Sequence, residues 1–167
     1  MPSQVRAFQP VAGDPPTLVE VFEDDPATWL PQARRDGAVN RWLVVLHASA
    51  LNRTVRLEVG AIWRAGSTRW RNLSWVPVGA AGDATPADRL LPSFSGELGL
   101  HAEGTERATL ALDGHYEPPG GRFGQAVDTI ALRRLAQITV NSLVAAIAGE
   151  LTQQAEVRSE QQRNGEP

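Results

Sequence analysis

Leu90–Gly124 reads LLPSFSGELGLHAEGTERATLALDGHYEPPGGRFG, and its two halves alternate. Phe94, Gly96, Leu98 and Leu100 alternate with Ser95, Glu97, Gly99 and His101. After a turn at Ala102-Glu103-Gly104, Ala108, Leu110, Leu112 and Tyr116 alternate with Arg107, Thr109, Ala111, Asp113 and His115. A period of two with one apolar side marks an antiparallel pair, one face buried and one wet. Pro118 and Pro119 cannot donate to a ladder and so end the second strand. Gly120, Gly121 and Gly124 permit a sharp change of direction. From Gly124 the period becomes helical. Advancing about 100° per residue from Ile130, Arg133, Arg134, Gln137 and Asn141 gather on one side. Ala131, Leu132, Leu135, Ile138, Thr139, Leu143, Ala146 and Ile147 cover the other. Two antiparallel strands handed to a long apolar helix predict an α+β fold in which a sheet wraps a helix and leaves a cavity between them.

Working outward, three strands precede this pair. Arg41–Ala48 is apolar on both sides. Thr54–Arg64 places Val55, Leu57, Val59, Ala61 and Trp63 on one face. Ala65-Gly66-Ser67 is a hairpin signal, and Thr68–Val78 returns. Gly79–Pro86 reads as a loop. Thr17–Phe22 is β-prone and reads as an edge strand. Asp24-Asp25-Pro26 starts a short helix, since Asp caps and Pro suits the first turn; Trp29 and Leu30 are its anchors. Residues 1–16 read as a loose lead-in and 153–167 as a polar, disordered tail, leaving a single domain over 17–152.

The composition narrows the function classes. At 167 residues and 42% hydrophobic content, the chain is long and apolar enough for one domain with a core. A net charge of −3 without a basic run argues against a nucleic-acid partner. The chain has no cysteine, which excludes disulfides, thiol nucleophiles and thiolate metal sites. Residues 1–16 lack the apolar core of a signal peptide, and apolar runs stay short of the ~20 residues that span a bilayer. A cytoplasmic protein without membrane insertion is predicted. Arginine supplies every basic side chain and lysine is absent, a bias typical of GC-rich bacterial genomes.

The segment Arg89–Leu98, followed by Leu112-Asp113-Gly114-His115-Tyr116-Glu117-Pro118-Pro119-Gly120-Gly121-Arg122-Phe123-Gly124 and a long helix, resembles the bacterial SRPBCC proteins. These belong to the START-like, Bet v 1-like superfamily and include polyketide cyclase/dehydratase-like members. The resemblance covers roughly Thr17–Leu151. It implies a helix-grip fold: a curved antiparallel sheet around the C-terminal helix, with one or two short helices after the first strand. It also implies an apolar cavity for lipids, sterols, polyketides or hormones. The motif residues are architectural, and no catalytic residue carries over.

The remaining chemistry is sparse. His47, His101 and His115 lack metal-ligand spacing and fall on the more polar faces of their strands. Asp113 and His115 share a face and form an acid–base pair only if the register slips by one residue. Gly120–Gly124 lacks the Lys-Ser/Thr of a phosphate loop and reads as a structural turn. No cofactor or metal is expected. Trp42, Trp63, Trp70 and Trp75 read as core packing, with one or two lining a pocket. Arg69 and Arg71 read as a solvated strand face, or as a carboxylate clamp at the cavity mouth. Tyr116 and Thr139 are the polar groups expected between sheet and helix, either satisfying nearby backbone or orienting a ligand. Leu98, Leu100, Leu110, Leu112, Leu135, Ile138 and Leu143 are the expected apolar lining. The predicted function is binding of a small hydrophobic molecule. The alternatives are a cyclase/dehydratase-type enzyme using the same cavity and a non-catalytic protein-interaction module.

Overall fold

The computed structural model describes residues 3–48, 51–78, 91–117 and 129–165. Its strands are β1 (Ser3–Val11), β2 (Arg34–Arg35), β3 (Arg41–Ala48), β4 (Leu51–Ala65), β5 (Thr68–Pro77), β6 (Ser93–Glu103) and β7 (Arg107–Glu117). Helix α1 spans Pro15–Glu23, a short 3-10 turn spans Pro26–Thr28, and helix α2 spans Thr129–Asn164. The strands form one antiparallel sheet in the order β1-β7-β6-β5-β4-β3-β2. The sheet is curved, and α2 packs against β1, β3, β7 and α1. This is the predicted helix-grip fold. The hairpin read from Leu90 onward is β6–β7, paired from Ser93↔Glu117 to Glu103↔Arg107. The predicted loop Gly79–Pro86 and the Pro118–Gly124 turn lie outside the described residues.

The N-terminal reading needs two corrections. Ser3–Val11, expected as a loose lead-in, is a strand. It pairs with β7 from Ser3↔Tyr116 to Val11↔Ala108 and buries Val5, Ala7 and Val11. Pro10 fits because β1 is an edge strand, where a missing N–H costs little. Thr17–Phe22, expected as an edge strand, lies within α1. The Asp14 carboxylate accepts from the Thr17 N–H at 3.0 Å and from its hydroxyl at 2.7 Å, and Pro15 and Pro16 occupy the first turn. A cap followed by prolines overrides the β propensity of Thr17, Val19, Val21 and Phe22. Leu18, Val21 and Phe22 then lie on one helical face, all at most 1% exposed.

The tail needs a third correction. Residues 153–164, expected to be disordered, continue α2 as helix. Gln, Ala, Glu and Arg favour the helix, and α1 supplies partners. The Thr152 hydroxyl donates to the Ala12 carbonyl at 2.9 Å, and Ala155 is 2% exposed. Arg158 pairs with Asp24 and lies 3.8 Å from Glu20. By length and composition Ile130–Asn164 passes for a membrane-crossing helix. Here its apolar side, through Val140, Val144, Ile147 and Leu151, is buried in the core.

A β-bulge overturns one side-chain assignment. Val59 pairs with Leu73, but the next pair is Ile62↔Arg71. Gly60 and Ala61 therefore stand opposite Asn72 alone, and the alternation of β4 reverses. Trp63, expected beside Val55 and Leu57, instead points outward at 41% exposure. It stacks there on Trp70, with ring centroids 5.7 Å apart. Trp42 and Trp75 point inward, at 1% and 2% exposure.

Candidate ligand site

The inner face of the sheet has two ends. At one end α1 packs against β5, β6 and β7, whose cross-strand rows are Leu112–Leu98–Arg71 and Leu110–Leu100–Arg69. Leu98, Leu100, Leu110 and Leu112, the expected lining, are all 0% exposed and belong to the packed core. Arg71, read as a solvated or mouth residue, is 6% exposed. Its guanidinium donates to the carbonyls of Phe22 (3.1 Å), Glu23 (3.1 Å), Asp24 (3.0 Å) and Gly60 (3.1 Å). It also lies 5.7 Å from the Phe22 ring centroid and 5.8 Å from that of Trp29. Arg71 is thus a side-chain cap for the carbonyls at the C-terminal end of α1. Burial lowers its pKa, while the charges of Asp25, Glu23 and Asp24 oppose that shift. Nearby, Glu23 accepts from Arg69 at 2.7 Å and from Arg64 at 3.0 Å. The Arg69 hydrogen bond foremost, with Arg64, holds the Glu23 carboxyl below its usual range.

The other end is an aromatic belt. Tyr116 pairs with Phe94, Phe94 with Trp75, Trp75 with Leu57, and Leu57 with Trp42. These five inward side chains stand at one level on adjacent strands, about 19 Å along the sheet at the ~4.8 Å strand spacing. Trp75 and Phe94 stack at 4.3 Å, and a Cβ on Gly114 would meet Phe94 Cζ at 2.5 Å, so this ring lies flat on the strand below. Trp75 Nε1 donates to the Pro92 carbonyl at 3.1 Å. The Trp42 indole N–H and the Tyr116 hydroxyl are buried with no hydrogen-bond partner among the described residues. So is the N–H of Trp29, whose ring packs 5.2 Å from Phe22. An unpaired buried donor costs about 1–3 kcal/mol, so each such group calls for an explanation.

The remaining predicted residues separate. Leu135 is half-buried. Ile138, expected to face the sheet, is 39% exposed on the outer side of α2. The buried stripe runs through Leu132, Ala136, Val140, Leu143, Val144 and Ile147, and Ile138 falls outside it. Thr139 is buried, and its hydroxyl donates to the Leu135 carbonyl at 2.8 Å, satisfying its own helix. His47, Asp113, His115 and Glu97 are on the outer face. His47 contacts Asn52 at 2.6 Å, His101 contacts Thr68 at 2.7 Å, and Asp113 accepts from Arg6 at 2.7 Å and Gln4 at 3.1 Å. The donor of Trp29 escapes the sequence reading, in which that residue is only a helix anchor, whereas Trp42 is among the tryptophans that read as core with one or two lining a pocket. For Trp42 the signal was present, because it alternates in phase with Val44 and Leu46.

Two depressions flank this core. A cleft of about 260 Å³ opens between β3 and α2, lined by Pro31, Gln32, Val45, Leu46, His47, Ser142, Leu143, Ala146, Gly149 and Glu150. A wider polar groove of about 640 Å³ crosses the outer face, past Glu58, Asn72, Glu97, Asp113 and His115. The groove is larger, but it lies on the side of the sheet away from the unpaired donors.

No known protein-family pattern matches the chain, and no curated protein does. Solved structures do. The chain is 14% identical to the Zhui aromatase/cyclase from Streptomyces sp. R1128, with a TM-score of 0.59 over 95% of this chain and 96% of that one. It is 12% identical to the di-domain aromatase/cyclase StfQ of the steffimycin biosynthetic pathway, with a TM-score of 0.56 over 96% of this chain and 53% of that one. It is 15% identical to a START superfamily protein from Mycobacterium smegmatis, with a TM-score of 0.52 over 90% of this chain and 97% of that one. These likenesses establish an SRPBCC, START-like fold.

Proposed function

We propose that this chain, built on the START-like helix-grip fold, binds a small hydrophobic molecule between the inner face of its sheet and α2. The carrying observation is the aromatic belt with buried, unpartnered donors at Trp42 and Tyr116. Apolar walls with a few convergent polar groups are the general composition of small-molecule sites. An indole N–H only donates, and a phenol donates readily. The ligand class that fits is therefore uncharged and ring-containing, with acceptor oxygens such as ketones. Desolvation supplies the affinity and the two donors set the orientation.

A second reading, a cyclase- or dehydratase-type enzyme, draws on the fold shared with aromatase/cyclases and on the Tyr116 hydroxyl, a proton donor with no protein partner. It ranks second because Asp113, His115 and Glu97 lie on the opposite face, and His47, at the edge of the β3–α2 cleft, is engaged with Asn52 at 2.6 Å.

Native mass spectrometry of the purified protein, with a thermal-shift screen against lipids, sterols and aromatic polyketides, tests the first reading. A retained neutral molecule, or a stabilisation confined to ring ketones, is the expected result. No retained mass and no shift in any class would sink it. Turnover of a ring ketone that Tyr116→Phe abolishes, with binding kept, would move the second reading to the front.

A further inference from the structure

We infer that the cleft between β3 and α2 is the portal of the ligand site and the seat of the ligand's polar end. The inference rests on the binding reading above. Its floor is apolar and continuous with the interior: Leu46 and Leu143 are 1% and 3% exposed and belong to the core cluster. Leu46 shares the inner side of β3 with Val44 and Trp42, so the floor leads along one strand face to the belt. Its rim is polar. Gln32, Ser142 and Glu150 line it, and none of the three side chains makes a hydrogen bond or ion pair among the described residues. An uncharged ring body enters past Leu46 and Leu143, while a hydroxyl or amide head stays with the three rim groups.

Gly149 carries the argument further. It sits inside a 36-residue helix, where glycine is the poorest choice short of proline. Close packing does not explain it, because beyond its own stretch of helix nothing lies within 4 Å of where its Cβ would stand. With Ser142 and Ala146 it keeps the α2 wall of the cleft low. Across from it, Gln32 holds a left-handed backbone, φ 50°, which a non-glycine residue adopts rarely.

The test uses stopped-flow binding of prodan, a neutral naphthyl ketone dye. Gly149→Phe places a ring at the opening from a position where an added Cβ meets nothing within 4 Å, and Ala145→Phe, an exposed position of α2 outside the cleft lining, is the control. Both are expected to fold. Gly149→Phe is expected to slow prodan association by about tenfold, as when binding requires a conformational opening; Ala145→Phe should leave it unchanged. If wild type binds prodan and Gly149→Phe binds it at the same rate, the portal is wrong and the binding reading stands. If wild type takes up no dye, both fall together.

Discussion

The α1 end and the belt end of the inner face share β5, β6 and β7, yet they treat polarity in opposite ways. Under α1, the guanidinium of Arg71 is surrounded by four backbone carbonyls, and the neighbouring leucines are closed to solvent. At the belt, the donors of Trp42 and Tyr116 are equally buried and have no partner. Trp29 marks the border, with its ring packed at the α1 end and its N–H unpaired. The region completed by its own chain is built for stability; the region left short of acceptors is the one proposed to receive a ligand.

The comparison is easiest to break at Arg71. Arg71→Met is expected to lose about 3–5 kcal/mol in denaturant unfolding, because it strands buried carbonyls and ends the cap on α1. A loss below about 1 kcal/mol would show that the α1 end is not the stabilising end. Leu98→Ala and Leu112→Ala should each cost about 2–5 kcal/mol through an unfilled cavity, with the affinity of the remaining folded protein for ligand kept. Tyr116→Phe sharpens the contrast from the other side. Stability should hold or rise by about 1 kcal/mol, since an unpaired hydroxyl is removed. Affinity for a ketone ligand should fall about 2–12-fold for the lost bond, read by calorimetry.

A smaller effect is expected from acid. The folded-state pKa of Glu23 lies below its ordinary 4.5. Its contribution is therefore complete above that value and fades as the pH falls through it toward the lowered one. Glu23→Gln should flatten this acid limb by about 1 kcal/mol or less, the range of part-exposed pairs, measured as unfolding midpoint against pH. The smallest change is Ile138→Ala, expected within about 0.5 kcal/mol because the side chain is already outside the core.

The elements legible from sequence were those whose physics is periodic. β6, β7 and the body of α2 follow directly from alternation in Phe94–Tyr116 and the helical stripe after Ile130. The missed elements turn on local chemistry that competes with periodicity. Asp14-Pro15-Pro16-Thr17 caps a helix over a run of β formers, the same signal that located the turn at Asp25-Pro26. The bulge at Gly60 and Ala61 adds one residue and reverses every face beyond it, which no alternation count on β4 alone can reveal. Arg71 was readable. It lies two and four residues from Leu73 and Trp75, so the parity of β5 points it inward, and only its charge argued otherwise. Of the expected site residues, Tyr116 and Leu143 are buried, as their alternation and helical stripe implied. Which polar groups lack partners depends on contacts between distant segments, and no single stretch of sequence carries that information.

The pairing of β1 with β7 has a consequence for assembly. Ser3 meets Tyr116, whereas β3 through β5 and the β6–β7 hairpin form from near neighbours. The local hairpins can close early, but β1 and α2 must wait for partners remote in the chain, and loop closure of that kind slows folding. Until α2 docks against β1, β3 and β7, the inner face of the sheet, with Trp42 and Tyr116 on it, is an apolar surface open to misassociation. The face proposed to hold an apolar molecule is thus also the one that late assembly leaves uncovered longest.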